Sequence, residues 1–374
     1  MPISTINTNS IADDAVTVPK VTDQVLTHRN RIINGAMTID QRNAGASVTP
    51  TNGSYQLDRW KHELSQASKF TVQQSTVAPD GFYNSMLVTS TSAYSVGASD
   101  YFDLFQWVEG FNWSDIMYGT ATAKTVTLSF WVRSSLTGAF GGALTNSAQN
   151  YSYPFTYTIS VADTWEQKSI TIAGPTAGTW LATTNRGVGV FFSLGMGSNF
   201  SGTAGSWSAN QYYSATGAVS VVGTSGATFY ITGVQLEAGD TATPFEHRSY
   251  GDELARCKRY FERFERQRPG AGSAGTTSLW AGPARSGASN VQGPMHYVEK
   301  RNNPTISVSS AGHLNAIYPI SPFNAALSGF GIDGNAGTQS AYINATGSGS
   351  PGSDCASFVY IGDAAGYLDI DAEL

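Results

Sequence analysis

The chain has 374 residues, which is enough for two or three domains with sizeable cores. Only 13% of the residues are charged and 40 are Gly, a composition typical of short strands and tight turns and not of a helical bundle or a disordered chain. The net charge is −6 with no basic stripe, which argues against nucleic-acid binding, and no apolar run reaches the roughly 18 residues of a membrane span.

The N-terminal segment carries no targeting signal that we recognise. The stretch MPISTINTNSIADDAVTVPK has no basic flank followed by an apolar run, so we do not expect a signal peptide. Cys257 and Cys355 lie far apart and predict reduced thiols, so we expect synthesis in a host cytoplasm. Residues 1–30 predict an extended arm, which is either a disordered leader or a segment ordered by docking on a partner.

Residues 31–247 carry a repeated strand pattern. In KTVTLSFWVRSS (Lys124–Ser135), apolar and mostly polar positions alternate, so that Val126, Leu128, Phe130 and Val132 share one face. YPFTYTISV, QKSITIAG, VGVFFSLGMG and GATFYITGVQLEAG continue this alternation, with Gly-rich turns between them. No amphipathic helices separate the strands. The pattern therefore predicts an antiparallel jelly-roll sandwich and an all-β fold, and it argues against a βαβ sheet.

A single helix is predicted over residues 251–266, within a helix-and-linker segment 248–272. Asp252 caps it, and one apolar face is formed by Leu254, Cys257, Phe261 and Phe264. RQRPGAGSAG then ends it as a linker. The apolar face packs either on the chain's own sandwich or against symmetry mates in an oligomer, and we favour the oligomer.

Residues 273–374 predict a second, smaller C-terminal β domain. Strands are expected within PMHYVEKRNNPTISVSS and within CASFVYIGDAAGYLDIDAEL, and residues 331–354 between them predict a loop or a weak hairpin.

Several of these blocks resemble a known class of protein. RIINGAMTIDQRNAGASVTPTNGSYQLDRW, the stretch AKTVTLSFWVRSSLTGAF and GATFYITGVQLEAGDTATPFEHRSYGDELARCKRYF resemble tail-fibre-like proteins of bacteriophages and prophages, and TINTNSIADDAVTVPKVT is similar to virion-anchoring starts of phage fibres. The resemblance covers almost the whole chain. It implies a virion fibre or adhesin, usually trimeric, with a body like a carbohydrate-binding jelly roll. The many Arg residues of the helix depart from the pattern.

Motifs for catalysis are missing from the sequence. It contains no Gly-x-Ser-x-Gly elbow, His-Glu-x-x-His motif, Walker loop or Cys-x-x-Cys pair, and its five His residues are scattered. We therefore predict no catalytic residues, no cofactor and no metal. The alternative for the metal is a structural Ca²⁺ held by loop carboxylates and carbonyls. Asp369 and Asp371 share a strand face and are either solvated or able to hold a cation.

Aromatic residues beside acids or in polar loops are the candidate glycan contacts. YFDLFQWVEGFNWSDIMYG places Asp103, Glu109 and Asp115 among aromatic residues, which predicts a strand that fills the core, a sugar contact, or a carboxylate pair of a glycosidase. The loops NSAQNYSYP and GSWSANQYYSATG favour either local packing or adaptable recognition. The candidates are Trp107, Trp113, Tyr151, Tyr153, Trp207, Tyr212 and Tyr213.

Together, these features predict a non-enzymatic virion protein that attaches to host surface polysaccharide as a homotrimeric tail fibre. Residues 1–30 would dock it on other virion proteins, and several weak sugar sites would add up by avidity. The alternatives are a head fibre, decoration, baseplate or neck protein without glycan binding, and a polysaccharide depolymerase.

Overall fold

The computed structural model describes residues 28–265, 277–284, 290–318, 323–332, 334–347 and 355–374. Most of the predicted N-terminal arm therefore lies outside the described residues. The arm's last residue, Asn30, belongs to the body: it is buried, and its side-chain amide donates to the Val234 carbonyl at 3.0 Å. No helix in these described ranges is long and apolar enough to cross a membrane.

The body of the chain is an all-β sandwich of two antiparallel sheets. The first sheet has six strands, in the spatial order β1 (Ser54–Leu57), β2 (Trp60–Leu64), β5 (Tyr101–Glu109), β10 (Arg186–Met196), β7 (Gly138–Asn146) and β8 (Ser152–Ile159). The second has five, in the order β3 (Phe70–Ser75), β4 (Ser85–Ser90), β13 (Thr228–Ala238), β6 (Val126–Ser134) and β9 (Glu166–Ile172). The non-sequential order within each sheet agrees with the predicted jelly roll.

The main core lies between the two sheets, as the alternating pattern predicts. Val126, Leu128, Phe130 and Val132 of β6 are all fully buried there, and the Phe130 ring meets the Phe192 ring of β10 edge to face at 5.0 Å. The predicted face of β6 is therefore confirmed.

The six-stranded sheet is also covered on its outer face, which the sequence did not predict. Phe105 of β5 and Phe191 of β10 point away from the inter-sheet core and stack on each other at 4.4 Å. Residues from three distant segments bury them, namely Ile33, Ile39, Cys257, Tyr260 and Leu374. The central strands are consequently buried on both faces.

The one α-helix in the described part of the chain, α1 (Tyr250–Lys258), is shorter than predicted. Ser249, and not Asp252, is its N-cap: the Ser249 hydroxyl accepts from the Asp252 backbone N–H at 3.2 Å. Cys257 is fully buried, and Leu254 is partly buried, in the apolar cluster that covers the outer face of the six-stranded sheet. The prediction that this face meets symmetry mates is wrong, because the chain itself covers it.

The predicted helical positions Phe261 and Phe264 belong instead to strand β14 (Phe261–Glu265). This strand pairs antiparallel with β22 (Tyr367–Asp371), with Phe261 opposite Asp371 and Phe264 opposite Leu368. The pairing with β22 supplies the backbone hydrogen bonds that a longer helix would have made. The prediction of a four-residue helical face is therefore wrong in its second half.

The C-terminal region forms a second, smaller β unit. Six strands close into a barrel in the order β15 (Thr277–Ala284), β16 (Asn290–His296), β20 (Ser340–Gly347), β19 (Phe323–Ile332), β18 (Leu314–Tyr318) and β21 (Cys355–Ile361). Strand β22 lies between β14 and β17 (Thr305–Val308) in a separate sheet. Strand β20 falls within residues 331–354, so the prediction of a loop or weak hairpin there is wrong.

The last residues of the chain lie against the sandwich, held by buried ionic contacts. The carboxylate of Glu373 binds the guanidinium of Arg59, and Arg42 reaches it at 3.1 Å. The Tyr55 hydroxyl donates to the Leu374 carbonyl at 2.5 Å. Sandwich and C-terminal unit are thus joined by a polar clamp as well as by the chain.

Candidate functional site

Loops at one end of the sandwich bring five aromatic side chains together. We call this set the aromatic cluster, which consists of Tyr118, Tyr151, Tyr153, Trp180 and Trp207. Tyr118 lies just after a 3-10 turn, Ser114–Ile116; Tyr151 directly precedes β8, and Tyr153 is the second residue of β8. Trp180 lies between β9 and β10, and Trp207 follows β11 (Ser201–Gly202).

Trp207 is the centre of the cluster. Tyr151 stacks on it with ring centroids 5.7 Å apart and planes within 8°, and Tyr153 lies tilted at 5.3 Å. Trp180 and Tyr118 meet Trp207 edge to face at 5.6 and 5.7 Å. These separations are those of favourable aromatic pairs, so each ring helps to fix the orientation of the others.

Hydrogen bonds to the backbone hold both indoles. The Trp207 indole N–H donates to the Ala173 carbonyl at 2.7 Å, and the Trp180 indole N–H donates to the Ala177 carbonyl at 3.1 Å. Gly178 has φ +88°, and a Cβ there would lie 3.1 Å from both the Tyr151 ring and the Trp180 indole nitrogen. A glycine is therefore needed where these two rings approach the backbone.

The cluster is partly open to solvent. Tyr118 is 6% exposed, whereas the other four rings are only partly buried. Two exposed apolar side chains directly adjoin cluster residues in the sequence: Met117, 44% exposed, precedes Tyr118, and Leu181, 38% exposed, follows Trp180. Exposed apolar surface of this kind is often part of a binding surface.

The two cluster tyrosines with shifted pKa values keep their protons at neutral pH. Burial raises the pKa of Tyr118, with a smaller contribution from Tyr153, and burial raises the pKa of Tyr153 as well. The Tyr118 hydroxyl has no hydrogen-bond partner among the described residues. The Tyr118 hydroxyl is buried, so the cluster tyrosines that combine an open ring surface with a hydroxyl group are Tyr151 and Tyr153, which suit a ligand with both apolar faces and hydroxyls.

Three predicted glycan contacts are wrong because their side chains are buried. Trp107 and Trp113 are each 2% exposed, and Tyr213 is 4% exposed. Trp107 and Tyr213 pack on Phe191 in the outer-face core, and Trp113 lies beneath Tyr118 at 5.1 Å. They support the fold and cannot stack on a ligand.

The remaining predicted contacts divide between the cluster and a neighbouring loop. Tyr151, Tyr153 and Trp207 come together in the cluster. Tyr212 lies against Gly202, where an added Cβ would be 2.3 Å from its ring. The sequence interpretation missed Trp180 and treated Tyr118 only as a neighbour of acids. Trp180 ends AGPTAGTW, a Gly- and Thr-rich turn of the kind that drew attention to Trp207.

The structure separates the three carboxylates considered for catalysis. Asp103 is fully buried, and burial with the nearby Glu63 charge raises its pKa well above the usual range. Glu109 accepts from Arg259 at 2.8 Å and from the Tyr260 hydroxyl at 2.7 Å. Asp115 pairs with Arg31 at 2.7 Å. Each acid is thus engaged in a different local environment.

The two C-terminal acids are also engaged in ion pairs. Asp369 accepts from two of the three Arg263 side-chain nitrogens at 2.6 and 2.7 Å, and Asp371 lies 3.6 Å from Arg42. Neither is simply solvated. Within the part of the chain that the structure describes, no group of three His, Cys, Asp or Glu side chains has the arrangement of a metal site.

Comparisons with known proteins find matches among solved structures alone. No protein-family model and no curated protein matches the chain. Similar solved structures include the enzymatically active domain of tailspike protein 4 from bacteriophage CBA120, with 13% identity over 51% of this chain and a TM-score of 0.31. A putative sugar binding protein from Bacteroides thetaiotaomicron shows 11% identity over 56% of this chain, with a TM-score of 0.30.

A xylan-binding domain from Paenibacillus barcinonensis shows 11% identity over 54% of this chain, with a TM-score of 0.27. The match covers 21% of the tailspike chain, 100% of the Bacteroides protein and 99% of the xylan-binding domain. Because these scores are low, we base the functional proposal on the geometry of the aromatic cluster.

Proposed function

We propose that this protein binds glycans through the aromatic cluster. The observation that carries the proposal is that five aromatic rings from four chain segments converge at one end of the sandwich and that four of them stay partly open to solvent. Sugars present apolar C–H faces that pack on aromatic rings and hydroxyls that bond to Tyr and backbone groups. Such mostly apolar sites with a few polar groups are typical of ligand binding.

The cluster is held in place before any ligand arrives. Ring–ring contacts and two indole hydrogen bonds fix Trp180 and Trp207, so little side-chain entropy is lost on binding. Aromatic side chains with few rotatable bonds give a large contact area at low entropic cost.

We further propose that the glycan belongs to a host surface polysaccharide and that the protein is a homotrimeric virion fibre anchored through residues 1–30. This step rests on the sequence resemblance to phage tail-fibre-like proteins. In a trimer, three weak sites linked on one particle gain avidity when the glycan repeats match their spacing.

The proposed action is attachment without bond cleavage. A retaining or an inverting glycosidase needs two carboxyl groups on either side of the scissile bond. Asp103 is buried, and Glu109 and Asp115 are held in ion pairs with Arg259 and Arg31, which supports a binding role over a hydrolytic one.

A structural role without glycan binding, as in a head fibre, decoration or baseplate protein, is the second candidate. The mutual contacts of the rings favour it, because they would also serve to hold the loops together. Under that role, loss of a ring lowers stability and has no effect on glycan recognition.

The test is binding of the full chain to an array of bacterial capsular polysaccharides and O-antigens. We expect Trp180→Ala and Tyr151→Ala to weaken the binding seen for the unmodified protein by about 30-fold, which corresponds to about 2 kcal/mol for a central aromatic contact. Tyr83→Ala is the matched control, since Tyr83 is 76% exposed on a different loop.

Thermal unfolding of each variant separates binding from folding. Unchanged affinity in Trp180→Ala and Tyr151→Ala, or no binding to any printed polysaccharide, would show that the cluster is structural. An increase in reducing ends during incubation would instead identify a depolymerase.

A further inference from the structure

A cavity of about 600 Å³ lies beside the aromatic cluster, between the sandwich and the C-terminal residues. Its walls are formed by Ser147, Ala148, Leu181, Asn185, Arg186, Arg301, Glu373 and Leu374. It shares two loops with the cluster. Ser147 and Ala148 precede Tyr151 in the β7–β8 turn, and Leu181 directly follows Trp180. A side-chain amide contact joins these loops, since Asn146 donates to the Thr179 carbonyl at 3.3 Å.

Arg186 contributes a positive charge to this cavity that no carboxylate in the described residues neutralises. Its guanidinium lies 5.1 Å from the centroid of the Trp107 ring, and it makes no hydrogen bond or ion pair with any described residue. Glu109 is opposite Arg186 in the β5–β10 register, but its two oxygens are used by Arg259 and Tyr260. Arg186 is partly buried, so this charge has lost some of its solvation without gaining a counter-charge.

Arg301 adds a second positive charge without a carboxylate. Its three nitrogens donate to the backbone carbonyls of Thr184, Ala372 and Glu373. These contacts fix the guanidinium in the wall, and among the described residues no carboxylate forms a direct ion pair with it.

Among the residues that line the cavity, the acidic side chain of Glu373 is already engaged. The Glu373 carboxylate lies between Arg59 and Arg42, and the Leu374 carbonyl accepts from Tyr55. The remaining wall offers the Ser147 hydroxyl, the Asn185 amide and the apolar Leu181 side chain. The protein carries a net charge of −6, so this concentration of unpaired positive charge is a local feature.

We propose that this cavity binds the anionic group of an acidic sugar, a carboxylate or a phosphate, in a glycan whose neighbouring residue lies on the aromatic cluster. The proposal rests on the glycan binding proposed above and names its substrate class. Guanidinium groups bind carboxylate and phosphate oxygens through paired hydrogen bonds, and Arg186 is free to do so. The wall hydroxyl and amide suit the ring hydroxyls of the same sugar residue.

The experiment prints each bacterial capsular polysaccharide in three forms: native, carboxyl-reduced, and dephosphorylated with hydrofluoric acid. The test variant is Arg186→Gln, and the matched control is Lys69→Gln. Like Arg186, Lys69 is a partly buried cation that lies over an aromatic ring, with its ammonium nitrogen 4.7 Å from the Tyr94 ring centroid. Lys69 also forms no ion pair with any residue that the structure describes. We expect the unmodified protein to bind native acidic polysaccharides about 10- to 100-fold more tightly than the neutralised form, the usual effect of a charge-assisted hydrogen bond.

Arg186→Gln should remove that preference while retaining the residual affinity for the neutral form, and Lys69→Gln should retain the preference. The form that loses binding identifies the anion as carboxylate or phosphate. Equal binding of native and neutralised forms, or a preference that persists in Arg186→Gln, overturns the acidic-sugar proposal but leaves glycan binding in place. Absence of binding to every form overturns both.

Discussion

The clamp between the C-terminal residues and the sandwich predicts a large effect for Glu373→Gln. The Glu373 side chain is 4% exposed and the Arg59 side chain 1% exposed, and Arg42 also reaches the same carboxylate. Burial alone would lower the pKa of Arg59, but the charge and hydrogen bond of Glu373 together with Tyr260 and Tyr55 outweigh it, so the net pKa is raised. A neutral amide in place of the Glu373 carboxylate would leave the Arg59 charge buried without its main partner.

Removing one partner of a buried ion pair costs about 3–5 kcal/mol. For a unit of 150–250 residues, 1 kcal/mol shifts the melting temperature by about 2–4 °C, so the unfolding transition of the sandwich should fall by about 6–20 °C. Urea unfolding followed by tryptophan fluorescence measures the free energy, and an unchanged m-value shows that the same surface is exposed.

Asp163→Asn is the matched control for this prediction. Asp163 pairs with Arg133 at 3.3 Å, but its side chain is 57% exposed, so loss of the pair should cost at most about 1 kcal/mol. The double variant Arg59→Met/Glu373→Met should be more stable than Glu373→Gln alone, since it buries no unpaired charge. If Glu373→Gln costs no more than Asp163→Asn, the clamp does not hold the C-terminal residues on the sandwich.

Three further predictions concern buried groups. Burial lowers the pKa of the His62 imidazole to about 3. Between pH 6.5 and 3, the imidazole therefore takes up a proton in the unfolded chain but not in the folded protein. The free energy of unfolding should consequently fall by about 1.4 kcal/mol for each pH unit that the pH decreases in this range. The unfolding free energy of the native protein minus that of His62→Phe should decrease accordingly in pH-dependent urea titrations, and a constant difference contradicts this. In the same assay, Gly142→Ala should destabilise the folded protein by about 1–3 kcal/mol, because the added Cβ would lie 2.3 Å from the Phe191 carbonyl oxygen. Gly251→Ala is the control, since its added Cβ would have no atom within 4 Å, and it should not destabilise the protein. Cys257 is fully buried, and burial raises the pKa of its thiol. In a Cys355→Ser background, Cys257 should therefore react with Ellman's reagent only when the protein unfolds. Rapid reaction of the native protein would show that α1 opens.

The alternation of apolar and polar residues predicted the strands that have one buried face and one more polar face. In β6, four apolar residues face the inter-sheet core, and a period of two is enough to identify them. The same pattern could not predict that Trp107 of β5 is buried, since it lies on the outer face of the sheet. That face is covered by Ile33, Cys257 and Leu374, whose positions depend on contacts over long sequence distances.

The predicted helix shows that a local pattern can also indicate the wrong type of secondary structure. The stretch LARCKRYFERF fits a helical face, yet Phe261–Glu265 forms a strand because it pairs with β22, about 100 residues further along the chain. Tertiary pairing overrides local propensity in this case. For the candidate site, polar loops around Tyr151 and Trp207 indicated recognition, but only the fold shows that Trp180 joins them.

The most direct test of glycan binding at the aromatic cluster is an NMR titration of the eight tryptophan indole N–H signals. Oligosaccharides from a panel of bacterial surface polysaccharides are added to the full chain. We predict that the signals of Trp180 and Trp207 shift on binding, while those of the buried Trp60 and Trp107 stay in place. Shifts confined to Trp131, Trp165 or Trp280, or no shift with any oligosaccharide, would contradict the assignment of the aromatic cluster as the binding site.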